Sequence, residues 1–217
     1  MGFIVKDLFI FPYNGNAIEA LNCIGCEFKF IGFIDDSINK QGKQGNGYHV
    51  FGRKFLDEYG DAHLLMVPGS PISFLEREKI IESFPMKRES LVKIIHPSAC
   101  ISPLAKIGNN VLIMAGVVVT SNAIIGDHVC VLPNTVIHHD VFISDYSLIG
   151  SNVTIAGNTN IGINCYIGSG TSIINGAKIG SRTMIGIGSN VISDIEPDCT
   201  AVGNPCRILT RKQNEKI

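Results

Sequence analysis

Ile143-Ser144-Asp145-Tyr146-Ser147-Leu148-Ile149-Gly150-Ser151-Asn152-Val153-Thr154-Ile155 carries the rule by which most of this chain folds. A large aliphatic recurs every sixth residue, and four residues after each stands something small or β-branched: Ser147 after Ile143, Val153 after Ile149. Outward in both directions the rule holds, back through Ile137, Val131, Ile125, Val119, Ile113, Ile107 and Ile101 to Ile95, and forward through Ile161, Ile167, Ile173, Ile179 and Ile185 to Val191. A period of six fits neither a helix nor simple strand alternation, so the segment is a repeat architecture. With the first and fifth positions pointing inward, identical layers stack along one axis and bury a continuous core. The remaining positions, rich in Gly, Asn, Asp and Ser, face out or turn corners. Three hexads per coil, stacked at about 4.8 Å, give a prism of nearly six coils, roughly 25–30 Å long.

The run resembles the hexapeptide-repeat acyltransferases. That resemblance implies a left-handed parallel β-helix, where the general rule for parallel crossovers would give a right-handed one.

Residues 1–94 read as a small α/β domain, and residues 95–217 as the helix with a C-terminal cap. After a frayed start over residues 1–6, Asp7 to Phe11 reads as a strand ending in the turn Pro12 to Asn16. A helix is expected from Ala17 to Cys26 and a second strand from Phe28 to Ile34, closing on Asp35-Asp36. This is the layout of a Rossmann-like mononucleotide unit with a degraded glycine fingerprint, Pro12, Gly15 and Ala17 standing where three glycines are usual. Ser37 to His49 reads as a mobile loop, Ala62 to Val67 as a third strand and Ile72 to Phe84 as a helix.

The 217 residues carry a net charge of −1 with Lys and Arg scattered, which argues against nucleic acid or a membrane surface as partner. Seven cysteines at irregular spacing, with no secretory signal, read as reduced thiols in a cytoplasm. Cys23-x-x-Cys26 has redox or metal spacing, but no second pair or His accompanies it.

An α/β unit followed by the prism is similar to the sugar acetyltransferases of the bacillosamine and perosamine type, whose relatives O-acetylate sialic acids. The similarity is carried by the nucleotide turn, Gly32 to Asp36, Ile95-His96-Pro97-Ser98-Ala99, the His138-His139-Asp140 hexad and the closing Ala201 to Arg207. It implies acetyl transfer from acetyl-CoA to the 4-amino group of a nucleotide-linked 4-amino-4,6-dideoxy sugar, without a metal, in a homotrimer with active sites between subunits. Carried onto this chain, Asn14, Gly15, Asn16, Asp35, Asp36 and Gly69 hold the nucleotide, with His138 as a neighbour on the substrate side. His139 is the base and Asp140 its orienting acid. Gly157 offers its N–H to the acetyl carbonyl, Ser169 and Ile187 line the pantetheine arm, and Asn204 and Pro205 lie at the adenine end. Relatives have Gly and His where this chain has Asn16 and Ala17, and a second His where it has Leu148.

Of the six His, His49, His63, His96 and His128 read as surface imidazoles, His96 trimming the first turn. Two imidazoles and a carboxylate crowd the outward corner Ile137-His138-His139-Asp140, and imidazole is the natural base near neutral pH. Adjacent residues of an extended strand point to opposite sides, so His139 and Asp140 meet only if that corner bends. The alternatives are an O-acetyltransferase on the same scaffold, a γ-type carbonic anhydrase, and a non-catalytic solenoid. The second wants a zinc-ligand pair spaced five apart, whereas His128 and His138 are ten apart. The third would need no His-His-Asp corner.

Overall fold

The computed structural model describes residues 5–209. Most of the expected frayed start, residues 1–4, lies outside that range. The first unit is a five-stranded sheet with β1 (Lys6–Phe11), β2 (Phe28–Ile34), β3 (Gly42–Lys43), β4 (His49–Phe51) and β5 (His63–Met66) in the order β3-β4-β2-β1-β5. β1 lies between β2 and β5, parallel to both, and only the β3–β4 pair is antiparallel. Helices α1 (Gly15–Ala20), α2 (Phe55–Tyr59) and α3 (Arg77–Glu82) accompany it.

Several sequence expectations are corrected here. The first helix starts earlier and ends sooner than Ala17–Cys26, because the Asn14 side chain caps it at Ala17 N and a 3-10 turn, Leu21–Cys23, closes it. Cys23 is buried and Cys26 exposed. The expected loop Ser37–His49 folds into a 3-10 turn, Ile38–Lys40, and the β3–β4 hairpin, tethered by Lys40 Nζ to Asp35 Oδ2 at 3.0 Å. The expected helix Ile72–Phe84 is split into a 3-10 turn, Phe74–Glu76, and α3, where Arg77 turns into the interior.

The hexads form a three-faced prism of two-residue strands, each paired in parallel with the strands 18 residues away. Face one runs from Ile94–Ile95 through Leu112–Ile113 and Leu148–Ile149 to the closing Arg207–Ile208. Face two holds Val136–Ile137 and Thr154–Ile155, and face three holds Ile124–Ile125 and Phe142–Ile143. First and fifth positions line the core as expected, with Ile137, Ile143, Val153 and Ile155 at 0% exposure. Each Ile so buried contributes about 1.5–3 kcal/mol.

Corners turn at the fourth residue of the hexad, which takes a left-handed φ: Asn122 +59°, Asn134 +61°, Asp140 +58°, Asn158 +60°. Asn, Asp and Gly tolerate this conformation and bulkier residues resist it. The exceptions among them, His128 and Tyr146 at +62° and Arg182 at +55°, share one ridge, between faces three and one, with Asn110 and Asn164.

That ridge is where the α/β unit docks. Asn110 accepts from Met66 N at 2.7 Å and donates to Met66 O at 3.0 Å, and Asn164 donates to Leu75 O at 3.2 Å. The unit also covers face one, so the outward residues Leu112, Cys130, Leu148 and Tyr166 are buried in a core shared with Leu8, Ile10 and Phe33. These positions read as exposed in the repeat alone. Faces two and three remain open, with Ile124 and Phe142 of face three exposed.

Candidate active site

His139 and Asp140 occupy the ridge between faces two and three. The positive φ of Asp140 swings its side chain back along the chain, so His139 Nδ1 and Asp140 Oδ2 stand 2.8 Å apart. The corner bend required for these neighbours to meet is present. Asn122, one coil below, donates to Asp140 Oδ1 at 3.1 Å. The hydrogen bond from His139, and then that from Asn122, hold the Asp140 carboxyl below its ordinary range. An ionised acceptor at Nδ1 assigns the proton to that nitrogen and leaves Nε2 free to accept one.

Gly157, one coil above, packs against the imidazole: a Cβ there would lie 2.6 Å from His139 Cε1 and Nε2. Only hydrogen fits, and the residue-157 backbone is thereby held at the open edge of the ring. Asn158 N donates to His139 O at 3.0 Å and ties the two coils in register. His138 is half-buried on the same corner, with its backbone N–H bonded to Ile155 O at 3.0 Å.

The other residues expected to meet the acetyl donor lie elsewhere. Ser169 and Ile187 sit on the ridge between faces one and two, Ser169 Oγ accepting from Ser151 N at 3.1 Å and Ile187 exposed. Asn204 and Pro205 form the turn after Gly203, between the closing strands Thr200–Val202 and Arg207–Ile208. Within one chain, face two separates this set from His139 and Gly157.

The α/β residues gather at the carboxyl ends of β1, β2 and β5. A cavity of about 310 Å3 is lined by Pro12, Asn14, Asp35, Asp36, Lys40 and Gly69, among others. Beside it, a cavity of about 280 Å3 is bounded by Asn14, Gly15, Asn16 and Gly69 and by Leu132, Leu148 and Tyr166 of the prism. Leu148 therefore stands beside the nucleotide turn of its own chain. Asp35 is 4% exposed and saturated: it accepts from Tyr13 N at 3.0 Å, Ser37 N at 2.9 Å and Lys40 Nζ at 3.0 Å. Asp36 is held by both Arg53 Nε at 3.0 Å and Arg53 Nη2 at 2.6 Å. Asp35 thus shapes the turn, and any role of Asp36 toward a ligand is shared with Arg53. Nothing in the local sequence around Lys40, Arg53 or Arg77 joins Lys40 to this lining or the two arginines to Asp36 and Pro68 behind it.

The remaining histidines differ from one another. His96 Nδ1 accepts from Ser98 N at 3.0 Å, which trims the first turn as expected. His49 begins β4 and is exposed. His128 is not a solvated surface imidazole: it stacks on Tyr146 with ring centroids 4.7 Å apart and contacts Asn110 Nδ2 at 3.0 Å. His63 also departs from the surface reading, its Nδ1 being enclosed without a partner. Burial lowers the pKa of both rings. Among the described residues no group of three His, Cys, Asp or Glu could hold a metal ion, and no helix is long and apolar enough to cross a membrane.

Residues 104–139 match the family model of the bacterial transferase hexapeptide (six repeats). That stretch lies inside the hexad run, which continues on both sides of it. Solved structures resemble it along nearly its whole length. PerB from Caulobacter crescentus, in complex with CoA and GDP-perosamine, is 28% identical with a TM-score of 0.81, over 95% of this chain and 98% of its own. A variant of perosamine N-acetyltransferase from the same organism, with one histidine changed to asparagine and the same two ligands bound, is 27% identical with a TM-score of 0.82, over the same shares. The acetyltransferase domain of PglB from Neisseria gonorrhoeae FA1090, in complex with acetyl coenzyme A, is 26% identical with a TM-score of 0.80, over 94% of this chain and 100% of its own. No curated protein matches this chain by sequence. The family match and these structures bear out the resemblance to hexapeptide-repeat sugar acetyltransferases read from the hexads and the α/β unit.

Proposed function

We propose that this hexapeptide-repeat protein transfers acetyl from acetyl-CoA to the 4-amino group of a nucleotide-linked 4-amino-4,6-dideoxy sugar, in a cytoplasmic homotrimer. The observation that carries the reading is the His139–Asp140 pair at 2.8 Å with the Gly157 backbone pressed against the ring. A base and a close backbone donor side by side suit an amine attacking a thioester. In this mechanism the sugar nitrogen bonds to the acetyl carbon and the carbon–sulfur bond breaks. His139 Nε2 takes the proton the nitrogen sheds and returns it to the departing thiolate, while Gly157 N–H steadies the carbonyl oxygen. No acyl-enzyme forms.

Residues 1–94 act in this reading as a Rossmann-like nucleotide domain and residues 95–217 as a left-handed β-helix carrying the chemistry. The similarity to proteins crystallised with CoA and GDP-perosamine supports both ligands. Ridge position supports the trimer. The nucleotide turn and Ser169 and Ile187 adjoin one ridge of a chain, and His139 and Gly157 lie on another. A rotated copy that sets the second ridge of one chain beside the first of the next completes each site, and such a head-to-tail contact closes as a ring.

The test is CoA thiol release from acetyl-CoA with UDP-, dTDP- and GDP-linked 4-amino-4,6-dideoxy sugars, run beside His139→Ala. Release with one nucleotide that is lost in the variant is expected. No release with any amino sugar overturns the reading. For the shared site, His139→Ala is mixed and reassembled with Gly15→Trp, whose indole would enter the open space beside Gly15. Recovered activity is expected, and none would assign both halves to one chain.

A further inference from the structure

Arg77 is fully buried, yet no carboxylate answers its charge. Its guanidinium instead donates to three main-chain carbonyls: Tyr146 O at 2.9 Å from Nε, His128 O at 2.7 Å from Nη2, and Pro68 O from Nη1. A buried cation bonded only to dipoles is costly unless something of opposite charge comes near it. The adjacent Cys130 is no counter-ion, because burial pushes its thiol up to about 12. Burial draws Arg77 itself down to about 10, which leaves it charged at neutral pH.

The side chain lies directly behind the nucleotide cavity. Gly69, at φ +111°, packs on its stem, and a Cβ there would sit 2.8 Å from Arg77 Cγ and 2.9 Å from Cδ. Pro68 and Gly69 form the wall between the guanidinium and the cavity that Asn14, Asp35 and Lys40 also line. The charges that line the cavity are neutralised in pairs, Asp35 by Lys40 within the lining and Asp36 by Arg53 from outside it. Arg77 is the charge left over.

We propose that Arg77 is a positioning residue for the anionic part of the substrate: it sets the Pro68–Gly69 turn on the prism and supplies the uncompensated positive charge that favours a diphosphate in front of that turn. The inference rests on the nucleotide reading above. A unit charge acting over roughly 12 Å at an effective dielectric of about 20 corresponds to about tenfold in affinity.

The test measures binding of a nucleoside, its monophosphate and its diphosphate, in the uridine, thymidine and guanosine series, to the full chain and to Arg77→Gln, Arg77→Lys and Asn164→Gly. Asn164→Gly removes the Leu75 docking bond without altering charge. The preference for diphosphate over monophosphate should fall about tenfold in Arg77→Gln and persist in Arg77→Lys and Asn164→Gly. Equal weakening of all three ligands in Arg77→Gln would reduce the residue to packing and overturn the proposal. If the unsubstituted chain binds none of the ligands, the nucleotide reading falls and this inference with it. Should Arg77→Gln not fold, the double variant D35N/K40M decides, since it removes the mutually neutralising pair of half-exposed Lys40 and buried Asp35, keeps an amide oxygen to accept in the turn, and leaves Arg77. A retained diphosphate preference supports the buried charge, and a lost preference assigns it to Lys40.

Discussion

Two corners of the prism carry the same two residue types in opposite order. Asp127-His128 and His139-Asp140 occupy the third and fourth positions of hexads two apart, and His128 and Asp140 share the left-handed turn at φ +62° and +58°. Their fates diverge because of what covers them. Under the α/β unit, His128 stacks on Tyr146, its carbonyl binds Arg77, and burial lowers its pKa. Asp127 turns away to pair with Arg88 at 2.8 Å. On the uncovered ridge, His139 and Asp140 bond each other, about half exposed, with Gly157 against the ring. Which residue takes the turn also matters: an aspartate there folds back onto the preceding imidazole, whereas His128 is directed to its neighbours on the ridge. The same local chemistry is a docking element on one ridge and a candidate base on the other.

The sharpest break of that comparison is His139→Ala. It should lower kcat by about 10²–10⁴ in the CoA-release assay with melting temperature unchanged, while His128→Ala should chiefly destabilise. Unchanged turnover in His139→Ala would sink the base assignment.

Gly157→Ala comes next. Its methyl would occupy the space of the imidazole edge, so the exposed ring must swing out, and kcat should fall roughly 10–100-fold at near-native stability. A variant as active as the parent would remove Gly157 from the site.

Asp140→Asn keeps the tolerated turn and loses the charge that holds the Nδ1 proton. Turnover should drop about tenfold, with KM for acetyl-CoA little changed. A change confined to KM would assign Asp140 to binding.

The smallest effect sharpens the buried side. The lowered pKa of His128 means the unfolded chain takes up its proton more readily than the folded one. Its contribution to stability is therefore whole above pH about 6.5 and drains away as pH falls below that. His128→Asn, with Asn suited to φ +62°, should flatten the acid side of the stability profile. His63, lowered in the same direction, retains its own share. Denaturant unfolding at pH 5 and 7.5 measures the difference, and identical slopes in parent and variant would count against a buried neutral His128.

The hexad period determined by itself that Ile95 to Val191 forms stacked coils, which positions line the core, and that His138, His139 and Asp140 crowd one outward corner. Those features are local: a side chain's direction in a coil follows from its place in a six-residue repeat. A trace of the docking ridge was also legible, since His128, Tyr146 and Arg182 stand in the turn position that Asn, Asp or Gly fills at most other corners. What covers each face was not legible. The burial of Leu112, Leu148 and Tyr166, the enclosure of Arg77, the saturation of Asp35 by Lys40 and the separation of Ser169 from His139 depend on contacts between distant segments or on which ridge a hexad reaches. Such contacts leave no period in the chain, because one side chain docking once against another element imposes no repeat. The meeting of His139 with Asp140 lies between the two cases, a neighbouring pair whose bond waited on a backbone dihedral that only the packed corner selects.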